Sequence, residues 1–267
     1  GQQADWFAAT WMRWFAIICG AGFILFIIRE LRTGTPIVNL RVVLNRNFGL
    51  GIIIVTIVGM VLYATTALIP EYLQDLMGYT ATQSGLTVSP RGIGSITAIL
   101  LVSQLMKRID SRFLIAGGLA LLGYSSWLLG HVYLGVSGES ITWPLIFNWA
   151  AVSLLFVPLS VVATGTLRND EMGNATGLYN LLRNIGASVG ISMTTTLLAR
   201  EAQTHQSVLA AHVNAYSLAT AREIAMRVAH GIPLPRVYGQ LYHEVVEQAT
   251  VWAFVSNFRL MAVLCFA

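Results

Sequence analysis

Residues 48–70 and 143–167 contain no charged side chain over 23 and 25 positions. A helix rises 1.5 Å per residue, so about 20 apolar residues cross the roughly 30 Å hydrocarbon core of a bilayer. In that core every backbone N–H and C=O needs a partner within the chain, which leaves helices or closed barrels. Barrel strands are about 10 residues of alternating polarity, whereas these runs are longer and apolar all round, so helices are expected. Five further stretches share the pattern: 6–28 with Arg13 near its start, 80–106 with Arg91, 113–130 with an uncharged tail to 138, 172–199 with Arg183, and 250–267 with Arg259. A content of 55% hydrophobic and 10% charged residues, against about 25% charged in a soluble domain, agrees with seven membrane spans.

Fifteen of the sixteen basic residues are arginine, and they punctuate short connections rather than forming a nucleic-acid stripe. Arg29, Arg32, Arg41, Arg46, Lys107, Arg108, Arg112 and Arg168 fall in alternate connections, while 71–79 and 131–142 hold none. Short basic loops stay in the cytoplasm, so loops 29–47, 107–112 and 168–171 are expected inside and the chain is expected to start outside. An odd span count with an outside start leads to the expectation that an N-terminal part precedes this chain. The one long polar stretch, 200–249, then lies in the periplasm. It contains four of the five histidines, Pro233 and Pro235, and apolar spacing such as Val208, Leu209, Val213 and Tyr216. Two or three amphipathic helices are expected there, lying against the bundle or a partner and interrupted between Gly231 and Val237.

Several chemistries find no footing. Cys19 and Cys265 sit in apolar runs without CxxC spacing, and His205 and His212 are seven apart, so neither a disulfide framework nor a metal site is expected. There is no P-loop, GxGxxG, HExxH or GxSxG, and an enzyme is not expected. No Asp or Glu lies inside any of the seven segments. A proton-driven carrier needs an intramembrane group that titrates, so here that group would belong to another part of the protein.

Arg91 and Arg183 break the rule of uncharged interiors, at a cost of several kcal/mol unless they face water, protein or a partner. Each either lines a water-filled pathway or acts as structural glue. Asn180 and Asn184 flank Arg183 on a polar helix face. Tyr63, Tyr72, Gln74, Asn148 and Tyr179 add hydrogen-bonding groups amid apolar walls, a lining suited to amphiphilic ligands, although each also reads as a packing residue. Gly173/Gly177 and Gly186/Gly190 have the spacing of close helix contacts, and Pro158 predicts a bend in its segment.

The run Ser103-Gln-Leu-Met-Lys107-Arg108-Ile-Asp-Ser-Arg112 resembles the GxxxDRxxxR loop of the major facilitator superfamily, with Arg108 and Arg112 in place. Ser103 replaces the glycine and Lys107 the aspartate, departures that weaken any charge-relay gating role for this copy. Pro36-Ile-Val-Asn-Leu-Arg41, Asn45-Arg-Asn-Phe48, Tyr72-Leu-Gln74, Gly78 to Leu86, Ser89-Pro-Arg-Gly92, Phe156-Val-Pro158-Leu and Gly173 to Gly186 are similar to the EmrB/QacA branch of fourteen-helix drug:proton antiporters.

The resemblance implies an all-α membrane protein: an inter-half helix at 1–28, a cytoplasmic loop at 29–47, and a C-terminal six-helix half at 48–267 that carries 200–249 as a periplasmic insertion. It further implies multidrug export by proton-coupled antiport across a bacterial inner membrane, with no cofactor beyond the proton gradient. The implied partners are the lipid bilayer, an amphiphilic small molecule, the N-terminal half of the same chain and a periplasmic adaptor protein, with no nucleic acid. The six helices would form two three-helix units of inverted topology. Export of a siderophore, lipid or metabolite on the same fold, or a non-transporting seven-helix scaffold, remain alternatives.

Overall fold

The computed structural model describes residues 10–33, 40–135, 137–169, 171–213 and 218–266, and among them every regular element is helical. Residues 36–39 of the loop motif, Asp170, and the ends of the first and last predicted segments lie outside the described residues. The elements are α1 (Thr10–Arg32), a 3-10 turn (Leu40–Leu44), α2 (Arg46–Glu71) running into a π turn (Tyr72–Leu76), α3 (Ala81–Val88), α4 (Arg91–Leu105), α5 (Ser111–Leu129), α6 (Gly138–Thr164), α7 (Met172–His212), α8 (Leu218–Ala229) and α9 (Leu234–Phe266).

Local sequence sets where these helices start. The Asn45 side chain accepts from the backbone N–H of Asn47 (3.1 Å) and Phe48 (3.4 Å), and that of Asp110 from Arg112 N–H (3.0 Å). Thr80 and Gln83 form a reciprocal capping box at the head of α3. The predicted 80–106 segment is two helices rather than one, because Pro90 has no N–H to give to a continuing ladder and instead begins α4. By contrast α6 runs unbroken through Pro144 and Pro158.

Contacts along the helices give their directions. Thr56 and Met60 on α2 face Gly186 and Gly190 on α7, so these two run parallel. Thr87 meets Thr142 and Ser95 meets Ser153, so the α3–α4 segment runs parallel to α6. Gly118 against Leu155 and Ser125 against Asn148 make α5 and α6 antiparallel, while Gly123 against Phe266 and Gly130 against Arg259 do the same for α5 and α9. Gly51 against Ala163, with Leu62 and Val152 in one cleft, makes α2 and α6 antiparallel, so directions alternate through α2, α4, α5, α6, α7 and α9. Exchanging α2 with α6, α4 with α7 and α5 with α9 turns the α2·α7 contact into α6·α4, the two most extensive pairings in the bundle.

Among the described residues six helical stretches are long and apolar enough to cross a membrane: Thr10–Glu30, Arg46–Leu76, Ala81–Leu105, Ser111–Leu129, Gly138–Thr164 and Leu234–Phe266. The segment predicted at 172–199 is not among them. Its polarity comes from Arg183 and from Asn, Ser and Thr, several of which close onto their own helix: Thr176 onto Met172 O, Asn180 onto Thr176 O, Ser188 onto Asn184 O and Thr194 onto Gly190 O. Such back-bonding hides the polarity that a hydropathy sum counts. Since α7 lies along the spanning helix α2, it crosses with it. Within the stretch 200–249, α8 is a separate amphipathic helix, while the other helical residues belong to longer helices. The stretch comprises the continuation of α7 to His212, the short α8, and a first half of α9 that starts at Leu234. The interruption lies where Gly231 takes φ +84° before Pro233, a conformation open to glycine and closed to most residues.

Helix α1 stands apart, with none of its apolar stretch buried against the rest and Trp14, Ile18 and Leu25 among its exposed side chains. The core of the other helices is large and apolar, with Phe48, Leu68, Leu122, Leu155, Phe254 and Phe258 fully enclosed.

The α2·α7 contact depends on missing side chains. A Cβ on Gly190 would sit 2.5 Å from Met60 O. Gly190→Ala is expected to lower the stability of the detergent-solubilised full-length protein by about 1–3 kcal/mol through overpacking. Gly239→Ala, in open space on α9, should leave it unchanged or slightly raised. Thermal unfolding midpoints of the two variants check this.

Candidate functional site

Between the α2/α7 pair and the α4/α6 pair lies a cleft of about 380 Å³. Gly59 on α2 brings its backbone against Arg183 O on α7, and Gly94 on α4 does the same against Ile146 O on α6. Each pair is thereby one rigid wall. The Ser95 and Ser153 hydroxyls, 2.9 Å apart, tie α4 to α6 inside the cleft.

Both intramembrane arginines open into this space. The Arg91 guanidinium lies 4.9 Å from the ring centroid of Trp149, and that of Arg183 lies 5.5 Å from the ring of Phe156. Trp149 and Phe156 are seven residues apart on α6, two helical turns on one face, which sets the two shelves about 10 Å apart along the cleft. An aromatic face stabilises a guanidinium where water is scarce. Among the residues lining the cleft there is no carboxylate, and the buried Nε of Arg183 has no hydrogen-bond partner. Two other arginines in predicted spans are spoken for: Arg259 Nε donates to Gly130 O at the end of α5 (3.2 Å), and Arg13 donates to Thr10 Oγ1 (3.2 Å).

Of the residues singled out in the sequence, the cleft gathers Tyr63, Arg91 and Arg183. Tyr179, Asn180 and Asn184 share the α7 turns around Arg183. Asn180 bonds to Thr176 O, Asn184 is exposed, and the Tyr179 hydroxyl is buried without a partner. Tyr72, Gln74 and Asn148 lie outside the cleft. Tyr72 sits in the core edge-on to Phe254 and donates to Tyr133 O (3.0 Å), Gln74 donates to Pro70 O (3.2 Å), and fully buried Asn148 donates to Ser125 Oγ (3.1 Å). Trp149, Phe156, Ser95 and Ser153 were not legible as site residues. Their place depends on α4 and α6 running parallel in register, which no local spacing reveals.

Ser103, Lys107, Arg108 and Arg112 cluster at the α4–α5 turn, where Lys107, Arg108 and Arg112 are exposed and Ser103 is bonded to Leu100 O (2.8 Å). Arg46, at the head of α2, shares a groove with Arg112, and Thr166, next to Arg168, bonds to Asn45 Oδ1 (3.2 Å). One end of the bundle is therefore basic. The opposite end carries Glu71, Asp75 and Glu139, together with the α7–α8–α9 projection. In that projection Arg227 bonds to Glu223 (2.8 Å) and Glu244 (2.9 Å), and these two carboxylates raise its pKa above the ordinary arginine value.

Residues 4–191 match the family model described as Major Facilitator Superfamily. The chain is 28% identical to the fatty acid resistance protein FarB of Neisseria gonorrhoeae over 94% of its own length and 50% of the relative's. It is 29% identical to the colistin resistance protein EmrB of Acinetobacter baumannii, over 72% of its length and 38% of the relative's. To the multidrug export protein EmrB of Escherichia coli it is 23% identical, over 94% and 49%. The chain thus spans about half the length of the curated relatives it matches.

Asn148→Ala removes one buried hydrogen bond between α5 and α6, away from the cleft. It is expected to cost about 1 kcal/mol of stability, read as a lower unfolding midpoint with unchanged helical content by circular dichroism.

Proposed function

This chain belongs to the Major Facilitator Superfamily, and we propose that it is the C-terminal part of a drug exporter of the bacterial inner membrane that works by proton-coupled antiport. In this reading 48–267 is the six-helix half, 1–28 the helix between the halves, 29–47 a cytoplasmic loop, and the 200–249 insertion is periplasmic. The observation that carries it is the cleft: two parallel helix pairs place two arginines, two aromatic rings and a serine pair in an otherwise apolar groove. Such a surface accommodates an amphiphile, with its apolar part on Leu62, Ile99 and Val152 and its polar part among the arginines. The names of the relatives, which speak of multidrug export and of resistance to fatty acids and colistin, support an amphiphilic cargo.

Rocking of this half against the rest of the protein around the cleft provides alternating access. The energy source is the proton gradient, and the carboxylates that take up the proton belong to the remainder of the full-length protein, because the seven segments here contain none. No cofactor is required. The α7–α8–α9 projection supports a periplasmic adaptor as partner, since it presents an apolar groove of about 180 Å³ lined by residues such as Val213, Ile224, Tyr238 and Leu241. Export of a siderophore, lipid or metabolite would use the same cleft. A non-transporting scaffold is disfavoured by membership of a transporter family.

Full-length protein in proteoliposomes is expected to move a fluorescent drug against its gradient when a proton gradient is imposed, and to stop when a protonophore collapses it. Absence of gradient-driven movement across a broad drug panel would refute the reading. The orientation is checked separately by single-cysteine labelling in intact cells. Cysteines at 75 and 139 should react with an impermeant maleimide, and those at 46 and 108 should react only after permeabilisation.

A further inference from the structure

We infer that the cleft selects organic anions, with Arg183 and Arg91 as the specificity-determining residues that bind the carboxylate or equivalent acid group of an amphiphile. This deepens the exporter reading and rests on it only for the vectorial movement of the ligand.

A guanidinium held over an aromatic ring still carries the Nε and Nη donors of its edge, the fork that matches a carboxylate with two parallel hydrogen bonds. Arg183 is held this way over Phe156. Its Nε is buried and has no acceptor, and a buried donor without an acceptor is an unfavourable state that an incoming anion relieves. One turn earlier on the same face of α7, the Tyr179 hydroxyl is a second buried donor without a partner. Arg91 over Trp149 repeats the arrangement nearer the other end of the cleft.

Around these groups the charge is one-sided. The acids nearest in sequence, Asp75 for Arg91 and Glu171 for Arg183, are not among the residues that line the cleft, and its described lining offers no carboxylate to neutralise either arginine. In a medium of low dielectric two uncompensated cations repel a cationic ligand and attract an anionic one strongly. The serine pair and the apolar walls are neutral in this choice. Because the shelves are about 10 Å apart along α6, they act as two stations at different depths for one acid group, while the hydrocarbon part rests on Leu62, Val152 and Val157.

The test uses purified full-length protein and three probes: a fluorescent medium-chain fatty acid, its methyl ester, and the tetraphenylphosphonium cation. The acid and ester differ only in charge and hydrogen-bonding capacity. The acid is expected to bind about tenfold tighter than the ester, the factor a charge-assisted hydrogen bond supplies, and tighter than the cation. In Arg183→Gln and Arg91→Gln the acid-to-ester ratio should fall to within about twofold, with ester affinity kept as the sign that the protein is folded. Arg183→Lys should restore only part of the ratio, since an ammonium lacks the fork. Equal binding of acid and ester by the unaltered protein would overturn the inference; a carboxylate from elsewhere in the protein already seated on the arginines would give this result. A ratio that survives both glutamine substitutions, or tighter binding of the cation, would overturn it as well. If arginine-dependent anion binding is found but no gradient-driven movement in proteoliposomes, the exporter reading fails and this inference stands.

Discussion

Gly59, Gly186 and Gly190 let the backbones of α2 and α7 touch where any side chain would hold them apart. Lipid is as apolar as leucine, so burial of greasy surface does little to bring two membrane helices together. Close van der Waals contact has to do it. Once α2 and α7 are locked at this distance, Arg183 has one place to go. Its carbonyl faces Gly59 and its guanidinium points across to Phe156 on α6. Gly94 sets the opposite wall by the same means. The cleft is what remains between two tightly joined pairs, and its width follows from contacts that contain no functional group.

The membrane architecture was largely legible from the sequence because a bilayer imposes a length and a polarity that a linear pattern must satisfy. Residues 48–70 and 143–167 correspond to α2 and α6. Positions where tertiary structure or local bonding decides the outcome were less legible. The 172–199 segment is more polar than a typical span, yet its Thr, Ser and Asn groups are satisfied by their own helix. The polar stretch after residue 199 reads as two or three amphipathic helices against the bundle or a partner; α8 is one, but a polar sequence with no breaker before residue 212 simply continues α7. Of the two prolines expected to interrupt the stretch, Pro233 falls in the break between α8 and α9, whereas Pro235 sits in the first turn of α9, where a missing N–H costs nothing.

For the candidate site, the two arginines stood out as charges in an apolar background, and Tyr63 joined them. Tyr72, Gln74 and Asn148 looked alike in the sequence, since a polar residue in a span reads the same whether it faces a groove or a neighbouring helix. Asn148 spends its amide on Ser125 and Tyr72 its hydroxyl on Tyr133. The aromatic shelves were silent because Trp149 and Phe156 are two among many large apolar residues, and only the placement of α6 against α4 and across from α7 reveals which arginine each one meets.

The 41 residues of α7 form one unbroken helix about 60 Å long. Its first part grips α2 and its last turns pair with α9, where Gln206 reaches Tyr242. A stiff beam anchored in this way behaves as a lever. A tilt of about 10° within the bundle displaces a tip some 20 Å further along by about 3–4 Å, so a small change of angle in the membrane becomes a displacement of several ångströms at the far turns of the same helix.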